Sequence, residues 1–567
     1  MTEASIPDRP ISRRESLAVL TCCAAVSMAA VGWSWQHGAM LNYGDAVAHL
    51  HIARRVFDSH QPRFTQLGSV WLPLPHILLI PFVQVYSWWA TGIVGVIPSA
   101  LAYLAGCAGL YRLARRWLTP TCAALALAFF AINPNLLYLQ TTAMTEPLFL
   151  CEMIWIALWL VEWRESLDAH PKQARHLLWF IAAAVVSAVF TRYDGWVMAP
   201  LTWGSIGFIL ARRGTLRSSA FWLATALVVA APVAWFIYNA AAFGDWLYFL
   251  RGPYSAKAIE MRTSVPGFPP HPGWHNPWVG LIFFLKAAEL DACAAAWGNI
   301  PLAFSVLGTV YAWITARRRA FAWALLLWLP VPFYAYSIAY GSVPIFLPVW
   351  WPYSWYNSRY GMELLPALAL GLGFAAQIIR AILHEFKPRN LGERDSLLIS
   401  CAMALLFGLI NTNLLQMIRE RPLVYLESTK NIQSRRSYEN QIPPALHELL
   451  TRQAGIVILM DTSTDPELVA LTGIPLRQTI NESDLEIYQA ALDAPAAHAG
   501  LVLAFDGDEI DRAVKAHPVG LTVLRHFAAS GQPSATVYMS DTGFPQQVPT
   551  TLNKPTRSVV ASGKDAQ

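Results

Sequence analysis

The chain has 567 residues, of which 55% are hydrophobic and only 14% charged, and its formal net charge is +5. An ordinary soluble protein carries roughly 25% charged residues, so the deficit excludes a soluble enzyme and points to a lipid-facing surface. The basic residues stand in short runs between apolar stretches, which excludes a continuous nucleic-acid-binding face and reads instead as orientation in a membrane.

A membrane-crossing helix needs roughly twenty apolar residues, and the loops left in the cytoplasm collect Lys and Arg. The first apolar run, 16–35 after Arg13-Arg14, is too long for the core of a signal peptide and reads as an uncleaved span behind a cytoplasmic N-terminus, 1–15. Further spans are expected near 94–111, 118–134, 146–162, 177–191, 196–211, 219–238, 300–316, 320–338, 360–380 and 397–416, about eleven in all. Arg112 to Arg116, Arg164 to His176, Arg212 to Arg217, Arg317-Arg318-Arg319 and Arg380 to Arg394 then share the side of Arg13-Arg14. The long loops 36–93, 239–299 and 339–359 face outward. His76–Trp89 is apolar but holds Pro81, and counting it as a span would invert every later loop. It is therefore expected in the outer interface or as a re-entrant piece. Six of the seven Cys lie in apolar segments and Cys293 stands alone, which argues against a disulfide framework or a thiolate zinc site.

The residues 417–542 are expected to form a small extracytoplasmic α/β domain. Gly455–Asp461 and Leu501–Phe505 read as buried strands, Asp465–Leu471 and Asp508–Ala516 as helices, and Leu521–His526 with Ala535–Met539 as a hairpin. A strand ending in Asp461 is similar to a nucleotide-binding crossover, but no glycine fingerprint follows it, and an accessory role is the plainer reading. The last stretch, 543–567, has the composition of a disordered tail.

Chemistry concentrates on the outer side. In Gly44-Asp45-Ala-Val-Ala-His49-Leu-His-Ile-Ala-Arg54-Arg55, the positions Val47, Leu50, Ala53 and Phe57 share one face at helical spacing, so a short helix lying on the outer surface is expected, with Asp45 at its start. Asp is also a favoured helix cap. Arg54 and Arg55 run against the positive-inside trend, as an anion-holding pair would. Glu146 in Thr-Glu-Pro, Arg192 and Asp194 in Thr-Arg-Tyr-Asp-Gly, and Arg359 in Ser-Arg-Tyr occupy outer span ends, where desolvation makes charge costly. Each has an ordinary explanation: a helix start beside Pro147, a local ion pair, or an arginine reaching lipid phosphates. Their agreement on one membrane face with Asp45 is what suggests a site.

Gly44-Asp45 through His49 and Arg54-Arg55 to Trp71-Leu-Pro-Leu-Pro-His76, followed by the Thr-Glu-Pro, Thr-Arg-Tyr-Asp-Gly and Ser-Arg-Tyr segments, resembles the GT-C class of membrane glycosyltransferases. Among them it is similar to the dolichyl-phosphate-mannose protein mannosyltransferases and the bacterial aminoarabinose transferases, over 16–416. The resemblance implies a catalytic carboxylate in the first outer loop, matched by Asp45, and an acidic residue after the third span, matched by Glu146. The mannosyltransferases often carry Asp-Glu where this chain has Asp45-Ala46, and the C-terminal domain is not their lectin-like module. The function so implied is inverting transfer of a sugar from a polyprenyl-phosphate donor to a hydroxyl of a glycan, lipid or protein, outside a bacterial inner membrane. A carboxylate base would deprotonate the acceptor while Arg359 and Arg192, then Arg54 or Arg55, stabilise the departing phosphate. Glu146 and Asp194, with His49 in support, offer ligands for a divalent cation such as Mg or Mn. The competing reading is a transporter or flippase, which would show internal repeats and charges near mid-membrane; neither is seen.

Overall fold

A backbone in lipid must satisfy its own polar groups, and long apolar runs therefore settle as helices. The computed structural model describes residues 11–263, 269–316, 324–385, 392–452, 455–463 and 465–541. The basic loop Arg317-Arg318-Arg319, most of the N-terminus before Arg13, the segment around Lys387 and the tail 543–567 lie outside the described residues. Six segments are long and apolar enough to cross a membrane: Arg13–Gln36, Ile93–Ala114, Pro171–Thr191, Ser219–Phe243, Ser358–His384 and Leu397–Glu439. Pro120–Ala131, Ile300–Ile314 and Leu325–Tyr340 are shorter apolar helices, and Glu146–Ala169 and Asp194–Arg212 are long helices with charges at their ends. Every expected span thus overlaps a helical element. The doubtful stretch near Pro81 is two short helices, Leu74–Leu79 and Tyr86–Ala90, neither long enough to cross a bilayer.

The described chain divides into two compact units. The first runs through Arg436 apart from Ser59–Gln61. Segment 417–436, read above as the start of the C-terminal domain, therefore belongs to the helical unit. The helix Gly392–Glu420 ends before Arg421-Pro422, where Arg421 takes a positive φ, and a second helix, Leu423–Glu439, follows. One crossing in this unit is unusually close. A Cβ on Gly308 would meet the Gly371 carbonyl, and one on Gly371 would meet the Ser305 carbonyl. Ser305 Oγ also donates to the Leu368 carbonyl at 2.8 Å across the same contact. Small residues of this kind let backbones touch where no hydrophobic force can drive helices together.

The second unit is a five-stranded sheet in the order β2-β1-β3-β5-β4, with β1 Ile458–Met460, β2 Thr479–Ile480, β3 Leu501–Phe505, β4 Leu521–Phe527 and β5 Ala535–Ser540. Strand β1 pairs in parallel with β2 and β3, while β5 runs antiparallel to β3 and β4. Helices Glu486–Asp493 and Glu509–Ala516 cover a core of Leu459, Ile480, Tyr488, Val502, Ile510 and Val514. Asp508 caps the latter helix by accepting from the Asp511 N–H at 2.6 Å. The short β2 has only two residues, too few for alternation to reveal it in the sequence.

Candidate active site

The helix expected after the first span is present as Gly44–Arg55, but it is not laid on the surface. Ala46, Val47, His49, Leu50, His51, Ile52, Ala53 and Arg54 are all buried, so both its apolar and its polar faces are covered. Its N-cap is Tyr43 and no side chain caps it, which removes the capping role from Asp45. The Gly44 N–H donates instead to Asn431 Oδ1 at 2.7 Å. A Cβ on Gly44 would lie 2.7 Å from an Arg435 nitrogen, so the glycine of Gly-Asp permits the helix Leu423–Glu439 to approach.

Freed from capping, Asp45 Oδ2 accepts from Arg359 Nη2 at 2.6 Å. Arg359 is the hub of the site: its Nε donates to Glu146 at 3.1 Å and its Nη1 to Glu427 at 2.9 Å. Ser358 Oγ donates to the other oxygen of Glu427. Glu146 Oε1 also accepts from Arg192 Nη1 at 3.3 Å. Arg192 then reaches Asp194 through Nε at 3.1 Å and, through Nη2, Glu363 at 3.1 Å and the Tyr334 hydroxyl at 3.0 Å. The Tyr334 hydroxyl in turn donates to Glu363 at 2.7 Å. The Tyr360 ring lies between the two guanidiniums, 5.1 Å from that of Arg359 and 5.0 Å from that of Arg192. Asp45, Glu146, Arg192, Asp194 and Arg359, separated by up to 314 positions, thus form one ion network.

Burial within this network is uneven. The Asp45 side chain is 41% exposed, while Arg359 is 7%, Arg192 13%, Asp194 10% and Glu146 and Glu363 0%. Asp45 is therefore its open end. Two guanidiniums face five carboxylates, so the network carries an excess of acidic groups.

Sequence reasoning missed Glu363, Glu427 and Tyr334. Glu363 carries a detectable signal, an acid at the start of an apolar run. Glu427 carries none, because it sits in a polar stretch where Glu is ordinary. Asp291 was missed as well; it is fully buried, and Asn133 and Asn135 both donate to its backbone carbonyl at 2.9 Å.

The other sequence-selected residues have different partners. Arg54 donates to Asp58 at 2.8 Å and to the Val83 carbonyl at 2.8 Å, and its guanidinium stands 4.6 Å from the Trp89 ring. Arg55 donates to the Gln66 carbonyl. His49 Nδ1 lies 2.8 Å from His76 Nε2. For a divalent cation the arrangement is a poor fit: Glu146 and Asp194 converge on the Arg192 guanidinium, which repels a cation. Among the described residues no group of three acidic, histidine or cysteine side chains could hold a metal ion.

The polytopic helical fold agrees with the resemblance to the GT-C class, and comparison with known proteins bears that resemblance out. Residues 89–238 match the family model described as dolichyl-phosphate-mannose-protein mannosyltransferase. Among solved structures, the chain is similar to ArnT from Cupriavidus metallidurans bound to undecaprenyl phosphate, at 15% identity and a TM-score of 0.54, covering 91% of this chain and 97% of that one. The apo state of the same ArnT gives 15% identity and a TM-score of 0.49 over 94% of this chain and 100% of that one. The oligosaccharyltransferase of Archaeoglobus fulgidus in complex with Zn and sulfate gives 11% identity and a TM-score of 0.44, covering 91% and 72%. No curated protein matches the chain. The fold shared with ArnT and the apolar helices make this an integral, multi-pass membrane protein with a GT-C architecture.

Proposed function

We propose that the chain is an inverting glycosyltransferase that moves a sugar from a polyprenyl-phosphate donor to an acceptor hydroxyl on the extracytoplasmic side of a bacterial inner membrane. The observation that carries this reading is the single half-exposed carboxylate, Asp45, bonded to an arginine at the mouth of an otherwise buried ion network. All three nitrogens of Arg359 are occupied, and only its Asp45 partner is accessible to solvent. An arriving phosphate would therefore displace Asp45 rather than Glu146 or Glu427. The exchange places guanidinium on the leaving group and releases the carboxylate to act as base, the two requirements of inversion. Arg192 holds Glu146 in register behind Arg359. Arg54 and Arg55 are already engaged by Asp58 and by carbonyls of Val83 and Gln66, so phosphate binding is assigned to Arg359 first and Arg192 second.

The match to a mannosyltransferase family model and the fold shared with an ArnT that binds undecaprenyl phosphate support the donor class. Eleven spans, a catalytic face outside the cytoplasm and an extracytoplasmic C-terminal domain belong to the same proposal. Incubation of membranes containing the chain with radiolabelled polyprenyl-phosphate sugars tests it. Label should move to a glycan, lipid or protein acceptor, and absence of transfer from every such donor would reject the reading.

A further inference from the structure

Asp45 is followed one helical turn later by His49, on the same face of Gly44–Arg55. Its imidazole is 3% exposed and contacts that of His76, which is fully buried. The facing atoms, His49 Nδ1 and His76 Nε2, are 2.8 Å apart, which requires one proton between them: two bare nitrogens or two N–H groups would repel. His76 Nδ1 is buried and completes no hydrogen bond, but the Leu72 backbone carbonyl lies beside the ring and favours a proton there. The opposite tautomer would set the Nδ1 lone pair against that carbonyl. His76 Nε2 is then the acceptor, His49 Nδ1 the donor, and His49 Nε2 is left with a bare lone pair that no described residue engages. Trp71, 37% exposed, stands 4.7 Å from the His49 ring.

We infer that His49 offers its Nε2 lone pair to a hydroxyl of the sugar bound at Asp45, with Trp71 against the apolar face of the same ring, and that His76 is the positioning residue that fixes this tautomer. The inference rests on the transferase reading above and adds to it how a sugar is held. An aromatic face beside one oriented acceptor suits a ring with apolar C–H faces and a hydroxyl edge. Burial holds the His49 imidazole down at about 4, with Asp45 and Glu146 opposing and Arg359 and Arg192 reinforcing, so the ring stays neutral at physiological pH and keeps its lone pair.

The test separates the dyad from the reaction. Nitrogen-15 spectra of the full chain labelled at histidine, assigned by difference with His49→Asn and His76→Gln, should show both residues protonated at Nδ1 and bare at Nε2 at pH 7. A cationic His49, or one protonated at Nε2, overturns the proposal. In transfer assays His49→Asn retains an N–H at the Nδ1 position but lacks the lone pair. Its kcat/KM should fall about tenfold, the weight of one lost hydrogen bond, with normal folding. A raised KM for the donor places the hydroxyl on the donor sugar, and a raised KM for the acceptor places it there. His49→Gln, which restores an amide near the Nε2 position, should recover part of the loss, whereas His49→Asn at wild-type rates refutes the sugar contact. If the wild-type chain shows the expected tautomers but transfers no sugar, the transferase reading falls and the dyad stands.

Discussion

Asp45→Asn separates chemistry from architecture because the structure assigns them different magnitudes. The substitution keeps size and removes basicity. Its structural cost is small: the side chain is 41% exposed and does not cap its helix, and Arg359 retains Glu146 at 3.1 Å and Glu427 at 2.9 Å. An ion pair this exposed contributes about 0–1 kcal/mol. Loss of a general base costs about 10²- to 10⁴-fold in rate, or roughly 3–5 kcal/mol in the barrier. The variant should therefore insert, purify and melt like the wild type while transfer from a polyprenyl-phosphate sugar drops by about a hundredfold or more. Donor binding should persist or tighten, since the neutral amide competes less for Arg359. A well-folded Asp45→Asn protein with near-normal turnover would refute the assignment and move the role to Glu146.

Other perturbations follow from the same contacts. Arg359→Lys should abolish most activity, because one ammonium cannot span Asp45, Glu146 and Glu427, and Arg359→Ala should in addition lower the yield of folded protein by stranding buried carboxylates; ordinary turnover in either variant would return Arg359 to a lipid-contacting role. Gly371→Leu should block assembly of the helices Ile300–Ala316 and Leu365–Glu385, measured as loss of monodisperse protein in detergent; a normal elution profile would contradict the close crossing. In the second unit, burial and then Asp461 raise Glu482 from 4.5 to about 7, so the folded state binds more protons than the unfolded state between those values. The Glu482 contribution to stability should be fully present below about pH 4.5 and be lost as pH rises through about 7. Hydrogen exchange in the full chain should show this part of the slope removed by Glu482→Gln, and the same pH dependence in wild type and variant would refute it. Cysteine labelling should place Arg115 and Arg213 inside and Asp45, Tyr254, Trp355 and Gly500 outside; a cytoplasmic Gly500 would overturn the proposed topology.

The helical unit was legible because span length and loop charge are set by the bilayer, a solvent with fixed thickness. Sidedness alone brought together Asp45, Glu146, Arg192, Asp194 and Arg359, since charges stranded at outer span ends have few places to go except each other. Composition could not separate Arg54 from these. Its answer was an Asp one turn onward, Asp58, a spacing that reads as a local pair only when it is looked for. The burial of Gly44–Arg55 was hidden for another reason: a one-sided apolar stripe predicts one covered face, but here His49 pairs with His76 and Arg54 with Asp58, which allows the polar face to be covered too. Glu427 was illegible because its helix is polar in sequence, and only the backbone turn at Arg421 brings it back to the spans.

The backbone-to-backbone crossing of Gly308 and Gly371 bears on how substrate enters. Arg359 opens the segment Ser358–Leu364, which leads directly into the helix Leu365–Glu385. That helix meets its neighbour backbone to backbone at this crossing, with only small side chains such as Ser305 beside the contact, so it acts as a stiff post. The carboxylate opposite is mounted on a twelve-residue helix joined to the first span through short turns. If phosphate parts Asp45 from Arg359 as proposed, the displacement should fall on the Asp45 arm, and spin labels placed along Gly44–Arg55 would register it while labels on Leu365–Glu385 stay still.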